Sequence, residues 1–208
     1  MDMQLWMAFV AATVFLLMIP GPTIILVLSY ALSQGRKVAV ASAAGVAFGD
    51  LLAMSASLTG LGALVLTSAT LFTVIKWVGA AYLVWMGIGM IRSAGASPLG
   101  HTDAPALPAG RIFRNAAMVT ALNPKSIVFF VAFVPHFITP DQPLAPQFAI
   151  LVATFVGLAF FNALAYALLA DRLRGTIRKP AVVTGLTRAG GAVLVAMGLA
   201  TAALRKAA

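Results

Sequence analysis

Cysteine is absent from the chain, which excludes disulfides, thiolate nucleophiles and cysteine-ligated metals. Only two histidines occur, His101 and His136, and neither stands at metal-ligand spacing from another donor. Charge is scarce as well: 9% of the 208 residues are charged, against roughly one quarter in a soluble globular domain. Such a chain has too few polar side chains to coat a surface facing water. There is no P-loop, no Rossmann glycine pattern, no nucleophile beside a base and no pair of acids, so no nucleotide, cofactor or enzymatic reaction is expected. The net charge of +9 does not point to nucleic acid, because the basic residues form no stripe interleaved with aromatics.

Long apolar runs take the place of all this. Hydrophobic residues make up 62% of the chain, and a bilayer crossing needs about 20 of them in sequence. The runs Leu5 to Tyr30, Val38 to Gly60, Leu71 to Ile91, Ile112 to Pro135, Gln147 to Leu169 and Ala181 to Leu204 meet that length. They predict an all-α integral membrane protein with six transmembrane helices, embedded in membrane lipid. The leading residues MDMQLW carry no basic n-region, so the first run reads as a retained helix rather than a signal peptide.

The basic residues sit in alternate gaps. Arg36 and Lys37 lie in the first, Arg92, Arg111 and Arg114 flank the third, and Arg172, Arg174, Arg178 and Lys179 fill the fifth, while the second and fourth contain none. The positive-inside bias then makes the first, third and fifth gaps cytoplasmic and puts both termini outside, with Arg205 and Lys206 opposing that assignment. The gap at 92–111, with Pro98, Pro105 and Pro108, reads as a flexible cytoplasmic linker between a three-helix unit at 1–91 and another at 112–208. KWVGAAYLVWMG at 76–87 laid on TRAGGAVLVAMG at 187–198 matches Gly79 with Gly190, Leu83 with Leu194, Met86 with Met197 and Gly87 with Gly198. An odd number of helices per half gives the halves opposite orientation, so the predicted plan is two inverted three-helix repeats, as in alternating-access transporters.

Several residues are costly in hydrocarbon. Pro20, Gly21 and Pro22 lie inside the first segment, and Asn123 and Pro124 inside the fourth. Proline removes an amide donor and clashes with the preceding turn, so both helices should open locally, and the freed backbone groups must face protein, solute or a watery cavity. Asp50 lies about 18 Å into the second segment by helical rise, and Lys125 at nearly the same depth in the fourth. Two readings follow: a static ion pair that orients the helices, or an aspartate that handles a proton or an amino group beside a lysine that neutralises a carboxylate. Lys76, nearer the outer end of the third segment, either snorkels to the headgroups or serves as an outer gate. Asn162 in the fifth is either interhelical glue or a ligand contact. The small-residue faces around Gly45 and Gly49, and around Gly79, Gly87, Gly190 and Gly198, permit tight packing within the chain or a homodimer.

At these motifs the chain resembles the lysine exporter family and its threonine and homoserine exporter branch. The resemblance runs through IPGPTIILVL at 19–28, GRKVAVASAAGVAFGD at 35–50, KWVGAAYLVWMG at 76–87 and LNPKSIVFFVAFVPHF at 122–137. It implies an inner-membrane exporter of small amino acids working in exchange for protons. Its recurrent motif residues fall here on Gly21, Pro22, Gly45, Asp50, Lys76, Gly79, Asn123, Pro124, Lys125, Pro135 and Phe137. The chain departs from the pattern at Thr23, where asparagine or aspartate is common, and at His136, where glutamine is. The site expected on these grounds comprises Gly21, Pro22, Thr23, Asp50, Lys76, Asn123, Pro124, Lys125 and Asn162. The competing reading is a membrane scaffold or assembly protein whose buried polar residues only specify helix packing.

Overall fold

A computed structural model describes residues 2–19, 21–67, 69–94, 107–139, 141–177 and 180–203, and every described element is helical. Most of the predicted linker, with His101, lies outside the described residues, as do Arg205 and Lys206. Helix α1 (Met3–Met18) begins where the Asp2 carboxylate accepts from the Gln4 amide, and it stops ahead of the first proline. α2 (Pro22–Gln34) places proline at its first position, where a missing amide costs nothing. It ends at Gly35, whose φ of 73° is the left-handed conformation glycine takes without strain. A short 3₁₀ turn, Gly35–Val38, leads into α3 (Ala39–Thr67).

α4 spans Ala69–Ser93, α5 Ala109–Ala121, α6 Pro124–Val128, α7 Leu144–Ile177 and α8 Pro180–Ala203. Between α6 and α7 the chain passes through a wide π turn at Phe129–Phe133 and a 3₁₀ turn at Val134–Phe137. The fourth predicted segment is therefore not one regular helix. Its two pieces, Ala109–Ala121 and Pro124–Phe137, meet at a bend of 44°. α3 and α7 both run beyond the ends predicted for the second and fifth segments, because hydropathy marks what contacts lipid while a helix continues through any residues that tolerate it.

The helices form an all-α, membrane-spanning bundle. Among the described residues, Leu144–Ala170 is long and apolar enough to cross a bilayer, as is the run Pro22–Gly60, with the bent pair making a third candidate. The Pro22–Gly60 run holds 39 residues, about 58 Å of helix and roughly twice the hydrocarbon thickness. Gly35 divides it. The outer surface is apolar, as contact with lipid requires: Trp77, Trp85 and Phe161 are each more than half exposed. Phe9, Phe129, Phe130 and Phe155 are fully buried, with the Phe130 and Phe155 rings edge to face at 4.7 Å.

Small residues set the helix directions. On α3, Gly45 lies against the Phe113 carbonyl and Ala116 of α5, and Gly49 lies against Ala117 and Thr120, so these two helices run parallel. On α4, Gly87 meets Gly191 and Val195 of α8, while Gly198 meets Ala80 and Val84, so this pair is antiparallel. α1 runs parallel to α7: Trp6 donates to Thr154 near its start, while Asn162 and Tyr166 reach the carbonyls of Leu17 and Met18 at its end.

The absence of a Cβ at Gly45 is what allows α3 to touch α5. Gly45→Ala should drive the helices apart and cost about 1–3 kcal/mol. Gly60→Ala, with nothing within 4 Å of the added methyl, should be neutral or gain up to about 1 kcal/mol in helix propensity. Thermal unfolding of the two variants in detergent measures the contrast, and equal midpoints would refute the packing account.

Candidate functional site

Two broken helices build the site. In a continuous helix the carbonyl of residue i accepts from the amide of residue i+4. For Leu16 and Met18 those amides would belong to Pro20 and Pro22, which have none. For Leu17 and Ile19 they would lie past the break, beyond the end of α1. Side chains supply the missing donors. The Lys125 ammonium donates to Leu16 O at 3.1 Å and Ile19 O at 3.0 Å. Asn162 Nδ2 donates to Leu17 O at 3.2 Å, and the Tyr166 hydroxyl to Met18 O at 3.3 Å. All four carbonyls at the end of α1 are thereby satisfied, with a cation at the negative end of the helix dipole.

The second break is organised by Asn123. Its Oδ1 accepts from the Lys125 amide at 3.1 Å and caps α6, while its Nδ2 donates to Thr23 Oγ1 at 3.2 Å. Thr120 Oγ1 donates to the same Thr23 oxygen at 3.3 Å. Each break thus holds the other, Lys125 reaching the end of α1 and Thr23 receiving the residues around Asn123. α2 differs from α6 in having no side-chain cap at its start, where Gly21 stands.

Between the breaks lies a cavity of about 20 Å³, the space of about one water molecule. Gly21, Thr23, Asp50, Asn123, Lys125 and Asn162 all line it. Pro22 and Pro124 occupy the first positions of α2 and α6 beside it. Lys76 lies on α4, and its side chain is outside the described residues. Asp50 is 2% exposed and Lys125 7%. Yet Asp50 Oδ1 has no hydrogen-bond partner, because the lysine ammonium is spent on the carbonyls of α1. The acid and the base share a cavity without the contact that the static ion-pair reading requires.

The family model described as LysE type translocator matches residues 14–204. The chain belongs to this family. It is a transporter rather than an enzyme, a multi-pass protein of the bacterial inner membrane, and amino-acid efflux is its general activity. Among its relatives is a homoserine/homoserine lactone efflux protein of Salmonella typhimurium, 37% identical over 207 residues and covering 100% of both chains. An uncharacterized membrane protein of Vibrio cholerae is 35% identical over 96% of this translocator and 97% of its own length. A leucine efflux protein of Klebsiella pneumoniae is 34% identical over 64% of this chain and 63% of its own. No solved structure matches the chain.

Thr120, Ser126 and Tyr166 were not singled out in the sequence, although the first two line the cavity and the third caps α1. The signal was spacing: Tyr166 lies four residues after Asn162 and so on the same face of α7, and Thr120 lies three before Asn123. Asn162→Ala should leave the Leu17 carbonyl without a donor and cost about 1–3 kcal/mol in stability. Tyr166→Phe should cost less, since its hydroxyl lies nearer the exterior. Thermal unfolding midpoints test that order, and an unchanged midpoint in Asn162→Ala would remove the capping role.

Proposed function

We propose that this translocator exports a small neutral amino acid, such as threonine or homoserine, in exchange for protons by alternating access. In this reading the chain crosses the membrane six times, as inverted three-helix repeats at 1–91 and 112–208 joined by a cytoplasmic linker at 92–111. α1 with α2 forms the first crossing, and α5 with the turns to Phe137 forms the fourth. The observation that carries the reading is the cavity where the two broken helices meet, bearing one buried acid and one buried base.

The packing supports the inverted repeat. The offset that lays 76–87 on 187–198 carries Gly87 onto Gly198, Ala80 onto Gly191 and Val84 onto Val195. The contacts of Gly87 with Gly191 and Val195 are then the images of those of Gly198 with Ala80 and Val84. Gly79 rests on Ala132 in the fourth segment, and its counterpart Gly190 rests on Ile19 in the first. The parallel pairs also exchange: second with fourth, fifth with first. Chance matching of alanine and glycine in sequence has no reason to reproduce this reciprocal arrangement.

The substrate would lie across the break in the first crossing. Its carboxylate meets the uncapped amides at the start of α2 together with Lys125, and Asp50 carries the proton. Asp50 suits that task because it lines the cavity and its Oδ1 is unpartnered; among the described residues no other acid lines it. The names of the relatives favour substrates with uncharged side chains: homoserine, its lactone and leucine. A separate groove of about 370 Å³ between α3 and α7, lined by Leu51, Ser55 and Thr59, lies toward the end of α3 that the charge pattern puts outside. The cavity itself holds no amino acid at its present size, so the structure corresponds to a closed state and the crossings must part to admit one.

Vesicles reconstituted with the purified protein should show counterflow of labelled homoserine or threonine and accumulation driven by a pH gradient. Asp50→Asn should abolish the gradient-driven component while still inserting in the membrane. Undiminished proton-dependent export in that variant would reject Asp50 as the coupling residue, and absence of counterflow for every neutral amino acid would reject the substrate class.

A further inference from the structure

We propose that the carbonyl oxygens of Leu16 and Ile19 form the subsite for the substrate's ammonium group, and that Lys125 occupies it as a tethered stand-in which the substrate displaces. The inference rests on the amino-acid reading above and adds to it where the ammonium binds and what empties that place.

The Leu16 and Ile19 oxygens form a ready-made pair of cation acceptors at the cavity, which Leu16 lines and the Lys125 ammonium joins to Ile19. They stand at the C-terminal end of α1, where the helix dipole is negative, and the break leaves them free of the amide partners a continuous helix supplies; only the Ile19 amide, at 3.3 Å, also reaches Leu16 O. A primary ammonium already sits on both, at 3.1 and 3.0 Å. The α-ammonium of an amino acid has the same charge and the same three donors as the end of a lysine side chain. The site is thus formed and in use, with its occupant supplied by the chain.

The stand-in also accounts for the closed cavity. The lysine stem passes beside Gly21, its Cε 3.5 Å and its Nζ 3.4 Å from where a Cβ would stand, and it fills the space between α1 and α2. With about 20 Å³ remaining, the closed cavity has no room for an amino acid beside Lys125, and as the crossings part the incoming ammonium takes the place of the lysine's. The displaced ammonium has acceptors at hand, the incoming carboxylate and the unpartnered Asp50 Oδ1 on the same cavity. Binding therefore exchanges one ammonium for another on α1 and brings Lys125 to the carboxylates, which converts an internal contact into a substrate contact without leaving a bare cation in the membrane.

A lysine that competes for the site has a consequence that a purely structural lysine lacks. Lys125→Met keeps an unbranched stem against Gly21 and removes the competitor. L-homoserine amide, which has the ammonium but no carboxylate, should then bind the variant about tenfold or more tightly than the wild-type protein in lipid nanodiscs, because the tax of displacing the occupant is gone. Unchanged or weaker binding of the amide by a folded Lys125→Met protein would overturn the proposal. A second measurement needs no variant: wild-type protein should bind 2,4-dihydroxybutyrate, in which a hydroxyl replaces the ammonium, about a hundredfold more weakly than L-homoserine. Equal affinities would overturn the ammonium subsite. If L-homoserine itself does not bind while another class of solute does, the amino-acid reading fails, and this inference with it; binding of L-homoserine without either preference defeats the subsite alone.

Discussion

The organisation of this translocator depends on one constraint: a backbone carbonyl in a membrane interior must find a donor inside the protein. Pro20 and Pro22 remove two donors and interrupt the helix that would provide two more, leaving the carbonyls of Leu16 to Ile19 to be met from elsewhere. Lys125, Asn162 and Tyr166 meet them. Those side chains come from segments far away in sequence, so satisfying one short stretch of backbone brings the first, fourth and fifth segments together. Position follows from hydrogen bonding, and the cavity follows from position.

The same constraint separates the roles of the two breaks. The turn at Asn123 is self-contained, since its side chain caps the helix it begins and ties itself to Thr23. The turn at Gly21 is not, since nothing caps α2 and the preceding carbonyls rely on a lysine from the opposite half. The second break is closed upon itself, and the first is the one the proposed substrate would enter. Asp50 stands between them with an unpartnered oxygen, the sort of expensive arrangement that persists in a membrane when it has a task.

Much of this was legible in the sequence. The two prolines in the first segment and Asn123 with Pro124 in the fourth mark both interruptions, because the absence of an amide is a property of the residue itself. Asp50 and Lys125 are visible by depth alone, since hydrocarbon makes charges conspicuous. What could not be read was the partner each would choose. The ammonium lies on carbonyls rather than on the aspartate, and only the three-dimensional course of α1 brings those carbonyls within reach. The π turn at Phe129–Phe133 was equally hidden, as a run of aromatic and aliphatic residues fits an ordinary helix as well as a widened one. Tyr166 escaped notice because tyrosine is unremarked in a membrane helix unless the residue four places earlier is examined with it.

The close approach of α4 and α8 bears on how the molecule can move. Where Gly87 meets Gly191, and again where Gly198 meets the Ala80 carbonyl, main chain lies on main chain, with the side chains of Val195, Ile91 and Val84 wedged alongside. Sliding there would force peptide groups through one another, so the two helices travel as a single stiff spine. In the proposed export cycle, the deformation that opens the protein to either side must then fall on the segments that are already cut.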